Sequence, residues 1–416
     1  MITKGEARMK VNPQQLLEDG FIILRQVIPP AQLDPLRASF EELVERQREV
    51  WACERKPDEP PGGIWETGAQ PRVFFDNVVD EATANAVNFC LHENTLGVSQ
   101  QLMQVPEAAI TLMALMCSPV RDHGPAAWHR DIDPVSQAPL KGLQMDMLAN
   151  APGYVQWNIP LYDDSVLWVV PGSHHRPNTD EEQHHLITNP HEPMPGGIPV
   201  ELKAGDGVVY SNLILHWGSN YSTKLRRTIH LGYRSFGGEI YPYVDHFYWD
   251  QDFTKPLPQG VRTAFARFFK LHRQQCDVIE VTFRAILDKN ANGFLDGLRQ
   301  LHPGGEEQMV CVVLLSKLVD KTCKLKDPAI VSRSLEERID AISAHRLNFY
   351  LFENFARRFS PTEAETLWER FSVLFERIQS AAERAILDFS TQAMRYRFTD
   401  MPADFDVEDF ITSWAA

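Results

Sequence analysis

The chain has 416 residues, 44% of them hydrophobic, enough to bury a large core in one big domain or two ordinary ones. Its 56 acidic and 41 basic residues give a formal net charge of −15, which repels phosphate backbones and anionic membrane surfaces and argues against a nucleic-acid partner. No window reaches the roughly 18 uninterrupted apolar residues of a membrane span.

The opening MITKGEARMK shows neither a signal-peptide nor a transit-peptide pattern. Six cysteines without a CxxC pair suggest free thiols in a reducing compartment, so a cytoplasmic location is expected. Residues 12–19 suit a short helix, and GFIILRQVI (20–28) predicts a strand bounded by Gly20 and Pro29. PAQLDPLRASFEELVERQREV then spaces Leu33, Leu36, Phe40 and Leu43 as one helix face. ACERKPDEPPGG (52–63) reads as an exposed loop, followed by a strand-like RVFFDNVV and a helical stretch over 81–103.

The chain then changes character. AAITLMALMC, LQMDMLA, GYVQWNIPLY, VLWVV, IPVELKA, GVVYSNLIL and RTIHLGYRSF are short runs separated by Gly, Pro, Asn and Asp. Strands at this spacing predict an antiparallel sandwich or barrel rather than a βαβ sheet. A long insertion at 171–197 interrupts them, and loops of that length in compact domains are functional or disordered. Beyond about residue 256, four apolar-striped runs predict helices to the end. The expected organisation is an N-terminal α/β cap on a mainly β core (1–240) and an all-α extension (241–416).

AAWHRDIDP carries His129 and Asp131 two positions apart, and on an extended strand such residues point the same way and can share one ion. By itself HxD is a short pattern that also fits a polar turn. A second candidate ligand, His216, follows the apolar run GVVYSNLIL, and Arg226 lies ten residues on, a fixed planar cation suited to an anionic co-substrate. Two histidines and a carboxylate leave open positions on iron, as oxygen activation requires.

Other candidates have plainer readings. His174, His175, His184, His185 and His191 fit solvated loop positions, and His123 and His230 fit structural hydrogen-bonding roles. Asp133 suits the turn before Pro134, and Trp128 suits packing. DKNANGFLDGLR (288–299) begins like a calcium loop, but its twelfth position is Arg299 where such loops need a bidentate glutamate, so a helix-to-helix turn is expected.

Read in order, HxD, PGSH, AGDxxxxxxxxxH, a downstream Asn-x-Ser and an Arg-Arg pair opening a strand resemble the phytanoyl-CoA dioxygenase family of Fe(II)- and 2-oxoglutarate-dependent oxygenases. DGFIILRQVIPPAQLDPLR also resembles that family's N-terminal start, so the resemblance spans about residues 17 to 236. It implies a double-stranded β-helix, a jelly-roll, cupin-like core. It also implies iron held by His129, Asp131 and His216, with Arg226 pairing with the far carboxylate of 2-oxoglutarate and Trp157 lining the co-substrate pocket. Anchoring on Asn220 selects Arg226, counting from His216 selects Arg227, and strand neighbours face opposite sides, so only one points inward.

The implied activity is oxidation of a C–H bond, normally hydroxylation, in a small organic metabolite, using O2 and releasing succinate and CO2. Related halogenases replace the carboxylate ligand with a small residue, so the presence of Asp131 argues against halogenation. The alternative from another class is a catalytically silent jelly-roll protein that binds a metabolite or organises partners. A third reading is a metal-dependent cupin-type enzyme without 2-oxoglutarate, in which Arg226 has no role.

Overall fold

The computed structural model describes residues 9–132, 138–236, 248, 251–303, 308–342, 346–383, 401 and 405–415. Asn12 caps helix α1 (Pro13–Asp19) by accepting from the Gln14 backbone N–H, with Pro13 in the first turn where no N–H is needed. The helix ends at Gly20, whose φ of 82° and whose contact with His174 both demand glycine, since a Cβ there would lie 2.5 Å from the imidazole Nδ1. Strand β1 (Phe21–Leu24) is shorter than predicted because Gln26 takes a φ of 55° and turns the chain. Helix α2 (Pro30–Glu54) buries Leu36, Phe40, Leu43, Val44 and Trp51, and α3 (Ile64–Thr67), β2 (Arg72–Phe74), α4 (Ala84–Cys90) and α5 (Val98–Leu102) complete the N-terminal part.

The core follows as β3 (Ala108–Cys117), α6 (Leu140–Asn150), β4 (Tyr154–Pro160), β5 (Leu167–Val169), α7 (Asp180–Thr188), β6 (Ile198–Pro199), β7 (Gly207–Tyr210), β8 (His216–Gly218) and β9 (Arg227–Ser235). Six strands form one antiparallel sheet in the order β1-β7-β4-β9-β3-β2, and β6-β5-β8 form a second. Leu167 and Val169 of the small sheet pack with Val208 and Tyr210 of the large one.

Two sequence expectations are corrected here. LQMDMLA is not a strand but part of α6: its alternation imitates a strand, yet Leu140, Leu143, Gln144 and Met147 at i, i+3, i+4 and i+7 form the buried helix face. The 171–197 insertion is not a bare loop, since Thr179 and Glu182 form a reciprocal capping box that starts α7.

Alternation along the large sheet gives it two faces. Val73, Leu115, Trp157, Ile159, Val209, Ile229 and Leu231 join the main apolar core with the N-terminal helices. Gln156, Asn158, Tyr210 and His230 occupy the opposite face.

The remaining chain is helical: α8 (Gln259–Leu287), α9 (Ala291–Leu301), α10 (Gln308–Lys324), α11 (Pro328–Val331), α12 (Leu335–Ile342), α13 (Arg346–Ala356), α14 (Pro361–Glu383) and α15 (Val407–Ala415). Asn290 caps α9 through the Gly293 N–H, so DKNANGFLDGLR forms a helix-to-helix turn. Within the run 335–359, read as one helix, α12 and α13 are helical, and 343–345 lie outside the described residues. Helix α9 meets α6 where His302 Nε2 lies 2.7 Å from Asp146 Oδ1, both side chains fully buried. Among the described residues no helix is long and apolar enough to cross a membrane.

Candidate metal centre

His129 and His216 sit opposite one another in a two-residue antiparallel bridge, each backbone N–H donating to the other's carbonyl at 3.0 and 2.9 Å. This pairing brings their rings to 4.3 Å between centroids. Asp131, two residues beyond His129, donates its N–H to the Asn212 carbonyl at 2.9 Å, which turns its carboxylate back toward the rings. His129 Nε2 is 3.5 Å from Asp131 Oδ1 and His216 Nε2 is 3.3 Å from Oδ2. One ligand atom from each of the three lies within 4.8 Å of the others, and among the described residues this is the one histidine, cysteine and carboxylate cluster so arranged.

The imidazoles are held in a ligating tautomer. His129 Nδ1 lies 2.8 Å from the Ala127 carbonyl and His216 Nδ1 lies 3.0 Å from the Ile214 carbonyl. A carbonyl can only accept, so the proton sits on Nδ1 and each Nε2 lone pair faces the shared centre. Between the two sequence ligands, the fully buried Arg130 donates to the Ser173 carbonyl at 2.7 Å, to Asn178 Oδ1 at 2.7 Å, and to the Leu213 carbonyl, which ties the HxD segment to the PGSH turn. His174 of that turn lies 2.9 Å from the Leu17 carbonyl and serves the N-terminal helix instead of the metal centre.

Electrostatics matches this arrangement. Burial and the neighbouring His216 push the His129 imidazole down to about 4. Burial alone would raise the Asp131 carboxyl, but His216, His129 and the Gln156 amide together hold it well below the usual carboxylate range. His216 is pushed down by burial and up by Asp131 and the Ile214 carbonyl together, with a net rise.

The large sheet supplies the next layer. Gln156 Nε2 donates to Asp131 Oδ2 at 2.9 Å, and the ring of Tyr210 lies 5.5 Å from that of His216. Burial and nearby Arg72 push His230 down to about 3, so it is neutral. Gln156, Tyr210 and Arg72 were not singled out in the sequence. Each is an unremarkable strand residue until strand register turns it toward the ligands, and no local signal marks it.

The two arginines divide as the alternation rule requires. Arg227 faces the helices, where Glu41 Oε2 lies 3.0 Å away. Arg226 faces the ligand side, its Nε donating to the buried Asp164 at 2.8 Å, while its Nη1 is buried with no hydrogen-bond partner. Thr228 donates to the same Asp164 oxygen at 2.6 Å. An unpaired guanidinium N–H in this position is an open site for a carboxylate.

Trp157 is a correction. It is fully buried in the opposite sheet face, its indole N–H donating to Ser99 Oγ at 2.9 Å. Its neighbours Gln156 and Asn158 take the ligand side, so a strand that presents them there must turn Trp157 away. Among the plainer candidates, Trp128 packs on Trp217 at 5.3 Å, His191 fastens to the Ala126 carbonyl at 2.9 Å, and Asp133 lies outside the described residues.

Residues 16–229 match the family described as phytanoyl-CoA dioxygenase (PhyH). The chain belongs to that family. Membership makes it an oxidoreductase, an oxygenase that works with iron and 2-oxoglutarate. No curated protein sequence matches it. Among solved structures, the phytanoyl-CoA dioxygenase relative in hand is similar to AviO1 from Streptomyces viridochromogenes Tue57 at 22% identity and a TM-score of 0.38, over 55% of this chain and 96% of the other. It is also similar to EvdO2 from Micromonospora carbonacea var. aurantiaca complexed with 2-oxoglutarate, at 16% identity and a TM-score of 0.37, over 56% and 94%. A third is the epimerase SnoN in complex with Fe3+, alpha ketoglutarate and nogalamycin RO, at 19% identity and a TM-score of 0.36, over 54% and 82%.

Proposed function

We propose that His129 Nε2, His216 Nε2 and Asp131 hold Fe(II) in the core of a double-stranded β-helix spanning residues 1–240. In this reading the enzyme hydroxylates a C–H bond of a small organic substrate. The observation that carries the reading is the pair of imidazoles pinned through Nδ1 to backbone carbonyls, with both Nε2 atoms and one carboxylate converging on a common point. The balance is R–H, O2 and 2-oxoglutarate giving R–OH, succinate and CO2. Bound iron supplies the redox chemistry that couples these two oxidations.

The chain's own residues do the rest. Gln156 steadies the Asp131 carboxylate from the sheet. Arg226, already braced by Asp164, offers its free Nη1 to the distal carboxylate of 2-oxoglutarate and so fixes which end of the co-substrate reaches the metal. Arg72, on the ligand side and hydrogen-bonded among the described residues to the neutral Gln70 at 3.2 and 3.0 Å, adds positive charge to the same cavity. Asp131 occupies the position a halide would need, which favours hydroxylation over halogenation. Residues 241–416 act as a helical extension that packs on α6.

An anaerobic titration of the apoprotein with Fe(II) and 2-oxoglutarate tests this through the visible metal-to-ligand charge-transfer band. The band should form in wild type and vanish in His216→Ala. Arg226→Ala should raise half-saturating 2-oxoglutarate by roughly tenfold to a hundredfold, the equivalent of one lost charge-assisted hydrogen bond, with Arg227→Ala near wild type. A folded, iron-replete wild type without the band would sink the proposal in favour of a silent binding protein or an enzyme that does not use 2-oxoglutarate.

A further inference from the structure

The ligand side of the large sheet carries two hydrogen-bond acceptors that neither the metal nor the co-substrate uses. Gln156 is one. Its Nε2 donates to Asp131, and because a carboxylate only accepts, the amide cannot be flipped: Oε1 must be the free end. That oxygen is buried and has no hydrogen-bond partner. A buried acceptor without a partner is costly, and its persistence beside a reactive centre marks a place where a ligand completes it.

His230 is the other. Its Nδ1 lies 3.0 Å from the Trp157 carbonyl and 2.8 Å from Asn158 Oδ1. The carbonyl can only accept, so Nδ1 carries the proton and Nε2, on the opposite edge of the ring, is an acceptor. The ring is 5% exposed. Strand register sets the two on adjacent rungs: Asn158 pairs with His230 and Gln156 with Gly232, whose missing side chain leaves the space that the Tyr154 hydroxyl fills. Gln156 and Asn158 are two apart on β4, so they and His230 share the face that carries the metal ligands.

Neither co-substrate can satisfy these acceptors, because 2-oxoglutarate is a dianion at neutral pH and O2 has no donor. The donor must come from the substrate. Its charge is constrained as well: both acceptors are neutral, Asp131 is engaged by the two imidazoles and Asp164 by Arg226, so a buried ammonium would find no free counter-charge whereas a neutral O–H needs none. We propose that Gln156 Oε1 and His230 Nε2 form an acceptor pair that receives a hydroxyl group of the substrate beside the iron. The substrate is therefore an alcohol at that position, not a hydrocarbon chain and not an amine. This inference rests on the iron-site reading above.

The test uses three matched probes, cyclohexanol, methylcyclohexane and cyclohexylamine, added anaerobically to the protein loaded with Fe(II) and 2-oxoglutarate. Binding is read from the shift of the charge-transfer band and by calorimetry, so no turnover is needed. Cyclohexanol should bind at least about tenfold more tightly than either analogue, as expected for a site whose polar groups would otherwise stay unpaired. That preference should fall below about threefold in Gln156→Met and in His230→Phe. Because Gln156 also steadies Asp131, His230→Phe decides if the Gln156 variant loses the band. Equal binding of the three probes to a wild type that shows the band, or a preference that survives in His230→Phe, overturns this inference alone. A wild type without the band overturns the iron reading and this inference with it.

Discussion

Around the metal centre the sheet buries polar side chains, whereas the helical unit buries aromatic ones and keeps most of its charges outside. On the ligand side His129, Asp131, Gln156, Asn158, His216, Arg226 and His230 crowd one region around three converging ligand atoms. In the helical unit Phe283 touches Phe355, Phe359 and Phe371, and Phe410 bridges Phe294, Phe371 and Trp414, while pairs such as Arg299–Asp296 lie on the surface. A region whose polar side chains converge on one point is built to be completed by a ligand, and one packed with rings is built to stay folded. Damage to the first should therefore remove function before stability, and damage to the second should do the reverse.

The sharpest way to break this contrast is Asp131→Ala, which should abolish both the charge-transfer band and 2-oxoglutarate turnover while the far-ultraviolet circular dichroism of a folded protein is retained. An Asp131→Ala variant with full turnover would place the ligand set elsewhere. Phe283→Ala, in the aromatic cluster, should cost about 3–5 kcal/mol of stability in urea unfolding and leave the band intact. His302→Ala strikes the joint between the two regions. It takes the imidazole away from the fully buried Asp146, leaving that carboxyl the Asn150 amide at 2.8 Å, and should cost about 1–3 kcal/mol.

Acid should sharpen the comparison further. Burial pushes His174 down to about 4 and His272 down to about 3, against an ordinary histidine value of 6.5. Below that ordinary value the unfolded chain takes up protons that the folded chain refuses, so stability is fully present above it and is lost as pH falls toward 4 and then 3. Urea midpoints should be flat from pH 8 to 7 and decline steadily below 6, with a shallower decline in His272→Phe. The smallest effect belongs to the helical surface: Asp296→Asn, which breaks an exposed pair, should change stability by less than about 1 kcal/mol.

Much of this organisation is legible in the residues themselves. HxD two apart on an extended segment, a distant histidine after an apolar run, and an arginine opening the last strand each follow from side-chain period and chemistry. The order of motifs carries the family, and the aromatic and aliphatic stripes carry the C-terminal helices. Local pattern misled where two periods coincide, as in LQMDMLA, whose alternation suits a strand but whose i, i+3, i+4 and i+7 positions suit α6. It misled at Trp157 for the opposite reason, since a motif position says which residue recurs and not which face it takes.

What the sequence determined by itself was therefore the kind of chemistry and the segments that bring it, because ligand type and spacing are properties of the local chain. Only the tertiary structure decided which arginine faces the ligands, that Gln156 holds Asp131 while leaving its own oxygen bare, and that His230 presents an acceptor beside it. Those facts depend on contacts and strand register between residues from 25 to 76 positions apart, and a shift of one residue would reverse every one of them.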